Sequence, residues 1–172
     1  KAGGNFHDPS VSTNVYNKQR MELYSRVIFS KTITEKVEKV PMHTLGLHLR
    51  YTDRAKHAPS FNDIIDAVNK MVDNNLVKEI KIVSDDLLRG ETTMENLQQH
   101  FPDIKLSISK HDISSRNINT GLQYAMVDWL TLCYCDYLIF FTGSSFGFEA
   151  FIWNMNRDVE EIPKRSLLIR QM

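Results

Sequence analysis

Strands and helices alternate along this chain of 172 residues, and the alternation predicts an α/β fold. Short apolar runs that are typical of buried strands recur at residues 44–50, 80–83, 105–108 and 137–141. The segments between them have the spacing of amphipathic helices. Because strands that are joined through helices pair in parallel, we predict a doubly wound, mostly parallel, Rossmann-like sheet of four or five strands with helices on both faces.

The helix after the first strand is predicted over residues 60–74. Ser60 and Asp63 stand at the spacing of an N-terminal capping pair. Apolar residues then recur on one helical face, which would pack on the sheet; they are Phe61, Ile64, Ile65, Val68, Met71 and Val72.

Three more helices and a last strand complete the predicted order. A helix over residues 92–100 would begin with Thr92 and Glu95 at capping spacing. Others would cover residues 121–133 and run from Ser145 to about Trp153. A short fifth strand is predicted at residues 167–169.

The first 40 residues are predicted to stand apart from this alternation. Residues 1–15 contain Gly, Asn, Ser and Pro and are expected to be irregular. A helical face follows within residues 16–40, and Pro41 ends it. We therefore divide the chain into an N-terminal segment, 1–40, and a Rossmann-like domain, 41–172.

Composition excludes several functions. The 21 basic and 21 acidic side chains cancel, which argues against generic binding to a nucleic-acid backbone or to an anionic membrane. The longest apolar stretch, residues 129–141, contains Asp136 and is too short to span a bilayer. Cys133 and Cys135 are two residues apart on a predicted helix, so a disulfide between them is not expected.

The candidate site lies where the strands end, because ligands of such sheets bind beyond the carboxyl ends of the strands. We predict that Arg50 and the backbone amides of residues 144–146 bind phosphate, and that Asp85 or Asp86 binds a base or ribose. This inventory suits a nucleoside diphosphate. The polar residues at these ends are His48, Arg50, Thr52, Asp53 and Arg54; Ser84, Asp85 and Asp86; Lys110, His111 and Asp112; and Thr142, Gly143, Ser144 and Ser145.

Structural interpretations of the same residues remain open. Ser144 or Ser145 would serve equally well as a helix cap. Arg50 would suit an ion pair with Asp53 or Asp85, and His48 a hydrogen bond within the sheet. The two consecutive aspartates would suit a turn in which one of them caps the next helix.

Two common nucleotide sites and a metal site are disfavoured. The chain has no Gly-x-x-x-x-Gly-Lys-Ser/Thr loop, and its first strand is not followed by Gly-x-Gly-x-x-Gly, so ordinary ATP or NAD sites are not expected. The histidines and cysteines show no metal-ligand spacing, and no third acidic residue supports a Mg²⁺ site at the paired aspartates.

Three blocks in the same order resemble the α1,6-fucosyltransferases, the family of the bacterial nodulation fucosyltransferases and the core N-glycan enzymes. The first is His48-Leu-Arg50-Tyr-Thr-Asp53, similar to the family's His-x-Arg-x-Thr-Asp. The second is Ile-Val-Ser-Asp85-Asp86, an apolar strand that ends in Ser-Asp-Asp. The third is the Asp-containing helix, strand and serine turn of residues 128–145. The resemblance covers roughly residues 44–154.

The resemblance implies a fold and an activity. It implies the donor-binding, C-terminal half of a GT-B glycosyltransferase that transfers fucose from GDP-fucose to a glycan acceptor with inversion, without a metal or other cofactor. The acceptor-binding half would then be a further, N-terminal domain. The alternative is a non-catalytic domain of the same fold that binds a nucleotide or phosphorylated ligand. A cytoplasmic bacterial enzyme is preferred to one of the Golgi lumen.

Residue roles also follow from the resemblance. Arg50 would neutralise the β-phosphate as the bond to C1 breaks, and Asp53 and Arg54 would belong to the catalytic set. His48 and one of the two aspartates would hold the guanine. Phosphate would be bound by Ser144, Ser145 and the backbone of Phe146. The chain departs from the family at Arg54, where Lys is frequent, and at residues 56–58, where some members carry Glu.

Overall fold

Five parallel strands form the sheet of this protein. The computed structural model describes residues 13–52, 59–72, 77–110, 119–141, 144–155 and 166–169. The strand order is β3-β2-β1-β4-β5, and every neighbouring pair is parallel. This confirms the predicted α/β sheet, including its fifth strand. The strands are β1 (Thr44–Leu49), β2 (Glu79–Ser84), β3 (Lys105–Ile108), β4 (Tyr137–Phe141) and β5 (Ser166–Ile169).

Helices cover both faces of this sheet, so its central strands are buried along their whole length. All six residues of β1 are buried, and so are all six of β2. The two charged residues among them are paired: Glu79 Oε2 lies 3.1 Å from Lys105 Nζ, and Lys81 Nζ lies 2.8 Å from Glu38 Oε2. The helices are α1 (Thr13–Tyr24), α2 (Lys31–Thr34), α3 (Phe61–Val72), α4 (Leu87–His100), α5 (Asn119–Tyr134) and α6 (Ser145–Met155).

The core has two parts, one on each face. On one face, Ile64 and Val68 of α3 and Leu97 of α4 pack in a cluster with Leu47 of β1. On the other, residues of α5 and α6 pack against Val83 of β2 and against β4; they include Leu130, Cys133 and Ala150. Each helix between two strands therefore buries one apolar face against the sheet.

The capping prediction is confirmed for α3. The backbone N–H of Asp63 donates to Ser60 Oγ at 3.2 Å, and Asp63 Oδ2 accepts from the backbone N–H and the hydroxyl of Ser60 at 2.9 and 2.7 Å. Those two bonds lower the pKa of Asp63. The pair satisfies donors that the first turn of a helix leaves open.

For α4 the prediction is wrong, because the helix begins earlier, at Leu87. Asp86 is its N-cap, and Asp86 Oδ1 accepts from the backbone N–H of Arg89 at 3.1 Å. Thr92, predicted as the cap, lies inside the helix and donates its hydroxyl to the carbonyl of Leu88 at 3.0 Å. Asp is as good an N-cap as Ser or Thr, so the earlier acidic residue starts the helix.

The N-terminal segment contains less helix than its pattern over residues 16–40 suggests, and its first helix begins before residue 16. Helix α1 starts at Thr13, within the stretch expected to be irregular, and the short α2 follows after a break. Tyr24 and Phe29 then pack with Trp129 of α5 and Trp153 of α6, at ring-centroid distances of 5.4–6.1 Å. The boundary at residue 40 stays a prediction, since this segment shares a core cluster with the sheet.

Two further expectations concern the cysteines and a membrane span. Cys133 and Cys135 are both buried, and no disulfide joins them. Across the described ranges, none of the helices has the length and apolar character needed to cross a bilayer.

Candidate functional site

The strand order places a crevice between β1 and β4. From β1 the chain continues through α3 to β2 and through α4 to β3, and it then returns through α5 to β4 on the other side of β1. Such a switch in direction separates the loops at the carboxyl ends of the two strands and opens a ligand site there. A cleft of about 600 Å³ lies at this point, lined by Tyr24, Val27, Phe29, His48, Arg50, Val83, Ser84, Asp85, Gly121, Leu122, Ala125, Met126, Trp129, Ser145, Phe146 and Glu149.

His48 connects the end of β1 to the start of α6. Its Nδ1 lies 3.3 Å from Ser144 Oγ, and that oxygen also accepts from the backbone N–H of Gly147 at 3.2 Å. The Ser144 hydroxyl has one hydrogen and two lone pairs, so it can donate to Nδ1 or accept from it, and either neutral tautomer of the imidazole satisfies this contact.

Burial keeps this imidazole neutral. His48 is 5% exposed, and its burial lowers its pKa to about 4. The Arg50 guanidinium also lowers the pKa, whereas the Asp85 carboxylate opposes the shift. His48, Arg50 and Asp85 all line the cleft. At neutral pH, His48 is thus a hydrogen-bonding group and not a cation.

Arg50 follows β1 directly and lines the cleft, where it is half-buried. It shares the cleft with Ser145 and Phe146, which belong to the first turn of α6. The structure therefore brings together a guanidinium and a helix N-terminus, as the sequence predicted. Both attract an anion, because the guanidinium is always charged and the helix end carries partial positive charge.

The start of α6 is capped by Ser144. This residue is 3% exposed, and its carbonyl accepts from the N–H of Phe148 at 3.0 Å. With the Gly147 bond, this confirms the capping interpretation for Ser144. Ser145 is exposed and lines the cleft, so capping and anion binding concern different serines of the same turn.

The carboxylate of Asp85 is occupied by the backbone that follows Arg50. Asp85 Oδ1 accepts from the N–H of Tyr51 at 2.6 Å. Asp85 Oδ2 accepts from the hydroxyl of Thr52 at 2.6 Å and from its N–H at 3.4 Å. The residue predicted to bind a base therefore lies in the cleft, with both oxygens already bonded to the protein.

Asp86 has a local role. It caps α4, and its Oδ2 lies 3.5 Å from Arg89 Nε. This confirms the interpretation in which one of the two aspartates caps the following helix. Asp86 is not among the described residues that line the cleft.

Sequence reasoning missed the aromatic side of the cleft. Tyr24 comes from α1, and its hydroxyl donates to Glu149 Oε2 at 2.5 Å, while Arg20 Nη1 lies 2.9 Å from Glu149 Oε1. Burial and the neighbouring Glu149 carboxylate raise the pKa of Tyr24. No local pattern links α1 to α6, because these residues are more than 100 positions apart in the sequence.

The third motif block also contains a buried carboxylate for which the sequence predicted no role. Asp128 of α5 is 1% exposed and accepts a hydrogen bond from the Ser109 hydroxyl, beyond the end of β3. Both residues line a separate cavity of about 350 Å³, which Val83 shares with the larger cleft. The sequence signal for Asp128 is an acidic residue within an otherwise apolar helical run. An acidic residue is seldom fully buried unless it is paired.

Other predicted residues are outside the described ranges, namely Asp53, Arg54, His111, Asp112, Thr142 and Gly143. Within the described ranges, no group of three or more His, Cys, Asp or Glu side chains could hold a metal ion.

Comparison with known proteins gives matches among solved structures. No protein-family model and no curated protein matches the sequence. POFUT1 in complex with GDP-fucose superposes with a TM-score of 0.57 at 12% identity, covering 91% of this chain and 49% of that chain. POFUT1 with GDP gives 0.51 at 14%, covering 94% and 53%. The NodZ alpha-1,6-fucosyltransferase soaked with GDP-fucose gives 0.45 at 17%, covering 80% and 41%.

These matches concern the fold, since the identities are low. The chain spans about half the length of the POFUT1 chains that it matches. The resemblance stated from the three motif blocks is confirmed at this level. The chain has the Rossmann-like α/β fold that forms about half of a solved fucosyltransferase.

Proposed function

We propose that this chain is the nucleotide-sugar-binding domain of a glycosyltransferase, with GDP-fucose as donor and a glycan as acceptor, and that fucose is transferred with inversion. One observation carries the proposal. At the switch point of the sheet, Arg50 and the first turn of α6 face one cleft beside the neutral His48. Solved structures of this fold that bind GDP-fucose or GDP support the same assignment.

The chemistry of the leaving group fits these residues. When the bond from fucose C1 to the donor oxygen breaks, negative charge grows on the diphosphate. Arg50 and the amides at the start of α6 would stabilise that charge, and this stabilisation would lower the barrier to breaking the bond. We expect donor binding without a divalent metal, because this end of the cleft already supplies positive charge.

The remaining roles are part of the proposal. His48 would form a hydrogen bond with the guanine of GDP-fucose, and its position on the cleft wall supports this role. Asp53 and Arg54 would belong to the catalytic set, as the resemblance implies. The glycan acceptor and a further acceptor-binding domain are likewise inferred from the resemblance.

The first test is calorimetric titration of the chain with GDP, GDP-fucose, UDP and ADP, without and with Mg²⁺. We expect selective, metal-independent binding of GDP and GDP-fucose. Arg50→Ala should weaken GDP binding at least tenfold, the size of one lost charge-assisted hydrogen bond, while the free energy of unfolding changes little.

Arg26→Ala is the matched control. That guanidinium is 71% exposed and pairs with Glu22 on α1, so its removal should leave GDP affinity unchanged. If Arg50→Ala unfolds the domain and the folded fraction keeps its affinity, Arg50 is structural and the proposal fails at its central residue.

A non-catalytic binding domain is the second candidate, and the half-length match to POFUT1 favours testing it directly. Release of GDP from GDP-fucose, measured with and without a glycan acceptor, separates the two. Selective GDP binding with no release would support the binding domain.

A further inference from the structure

Asp85 brackets Arg50 on both sides. Its backbone N–H donates to the carbonyl of Leu49 at 3.3 Å, just before Arg50. Its carboxylate accepts from Tyr51 and Thr52, just after Arg50. Asp85 follows the neighbouring strand, β2, so a shift of the Arg50 backbone would break a hydrogen bond to this one residue.

Most of the accepting capacity of this carboxylate is used within the protein. Two backbone N–H groups and one hydroxyl donate to its two oxygens, two of them at 2.6 Å. A guanine edge presents two N–H donors, so it would have to displace at least one of these bonds. Loss of the Tyr51 bond would leave a part-buried backbone N–H without a partner, and this is unfavourable.

The segment held in this way is anchored at its far side too. Tyr51 is 8% exposed, and its hydroxyl lies 2.9 Å from Thr93 Oγ1 on α4. The Arg89 guanidinium lies over the Tyr51 ring, at 5.8 Å from its centroid. The loop after β1 is thus tied to β2 and to α4, and Arg50 leaves it toward the cleft.

We infer that Asp85 is a positioning residue, which directs Arg50 at the phosphates of the donor and does not read the base. The inference rests on the proposed function and deepens it. A positioning role acts on every ligand that carries the diphosphate, whatever its base. A base-reading role acts on guanine nucleotides alone. The two roles therefore differ in their effect on ligand selectivity.

The test compares Asp85→Asn with the wild-type chain against GDP, ADP, UDP and inorganic pyrophosphate. The amide keeps the size of the carboxylate but removes its charge and one acceptor. We expect all affinities that are measurable in the wild type to fall by one common factor of about ten, the cost of one charge-assisted hydrogen bond. In an Arg50→Ala background, Asp85→Asn should have little further effect, because Asp85 acts through Arg50.

Asp136→Asn is the control with matched chemistry. Asp136 Oδ2 also accepts from two successive backbone N–H groups, of His43 at 2.6 Å and Thr44 at 3.4 Å, but at the opposite edge of the sheet. It should lower the free energy of unfolding as Asp85→Asn does and leave the affinities unchanged. Thr52→Val, which removes only the hydroxyl bond, is the milder variant should Asp85→Asn unfold, and it should cause a smaller loss shared by all ligands.

The outcomes are distinct. A loss confined to GDP, with pyrophosphate, ADP and UDP unchanged, would show that Asp85 reads guanine and would overturn the inference while the proposed function stands. Equal effects of Asp85→Asn and Asp136→Asn on binding would show that Asp85 contributes only to the stability of the fold, and this would overturn the inference. A wild-type chain that binds neither GDP nor pyrophosphate would overturn the proposed function and this inference together.

Discussion

At the scale of single residues, the site combines side chains that are buried and chemically restrained. His48 is neutral because it is buried, and its Nδ1 is in hydrogen-bond contact with Ser144 Oγ. Asp85 is held by backbone donors, and Arg50 extends from between them into the cleft. Such restraint is costly to stability and useful to binding, because the groups do not need to be ordered when a ligand arrives.

The depressed pKa of His48 predicts a specific loss of stability in mild acid. The unfolded chain takes up this proton near the ordinary pKa of 6.5, whereas the folded chain resists until about 4. Stability from this group is therefore complete above pH 6.5 and is lost as the pH falls toward 4, on the order of 1.4 kcal/mol per pH unit within that window.

Urea unfolding at several pH values between 7 and 4 would measure this effect. His48→Asn should flatten the dependence of the unfolding free energy on pH relative to the wild type, since carboxylates contribute equally to both proteins. Parallel curves for the two proteins would show that His48 titrates normally.

At the scale of elements, the position of α6 on β4 decides where the helix N-terminus points. Gly147 allows this close approach, because a Cβ built there would lie 2.5 Å from Phe140 Cβ and 2.7 Å from its Cγ. Phe140 is 2% exposed and has no room to retreat. The first turn of α6 can therefore sit against β4 and beside His48 only if residue 147 lacks a side chain.

Gly147→Ala should consequently damage both stability and binding. Overpacking costs about 1–3 kcal/mol, more than the roughly 0.5–1 kcal/mol that Ala contributes in a helix interior. We expect a lower unfolding midpoint and a weaker affinity for GDP in calorimetry. Gly46→Ala is the control: its Cβ would crowd Leu138 Cδ2 at 2.8 Å in mid-sheet, so stability should fall without a change in affinity. Wild-type affinity in Gly147→Ala would contradict the explanation.

At the scale of the whole molecule, the N-terminal helices belong to the core and to the cleft. Tyr24, Phe29 and Ile33 share the cluster that α5 and α6 form on one face of the sheet. Tyr24, Val27 and Phe29 also line the cleft. The described part of the N-terminal segment, which the sequence pattern separated at residue 40, is thus packed on the Rossmann-like domain.

A chain of residues 41–172 tests that division. We expect it to unfold at lower urea concentration than the full chain, because each large apolar side chain removed from a cluster costs on the order of 2 kcal/mol. Its tryptophan emission should shift to longer wavelength, since Trp129 and Trp153 lose Tyr24 and Phe29 as neighbours. Leu23→Ala, at a side chain that is 64% exposed on α1, serves as the control and should change neither quantity. Equal midpoints and equal emission would support an independent domain at residue 41.

Local pattern was sufficient for the sheet and for part of the site. Short, mostly apolar runs marked the strands, and the polar residues after β1 and β4 identified Arg50 and the serine turn. The start of α4 was misplaced because two capping residues competed, and the pattern did not rank Asp86 above Thr92. The aromatic wall and the packing of α1 depend on contacts across more than 100 residues, for which local pattern has no signal.

The sequence by itself determined the α/β order, the edge of the sheet where the candidate site lies and the residue types that suit a diphosphate, because these follow from periodicity and from the geometry of parallel strands. Only the tertiary structure decided what each carboxylate does. Asp85 and Asp86 follow β2, and Asp128 lies within α5. Asp85 holds the backbone next to Arg50, Asp86 caps α4, and Asp128 is buried beside Ser109. Their roles depend on which donors the fold brings within about 3 Å of each oxygen, and hydrogen-bond partners distant in sequence are set by packing.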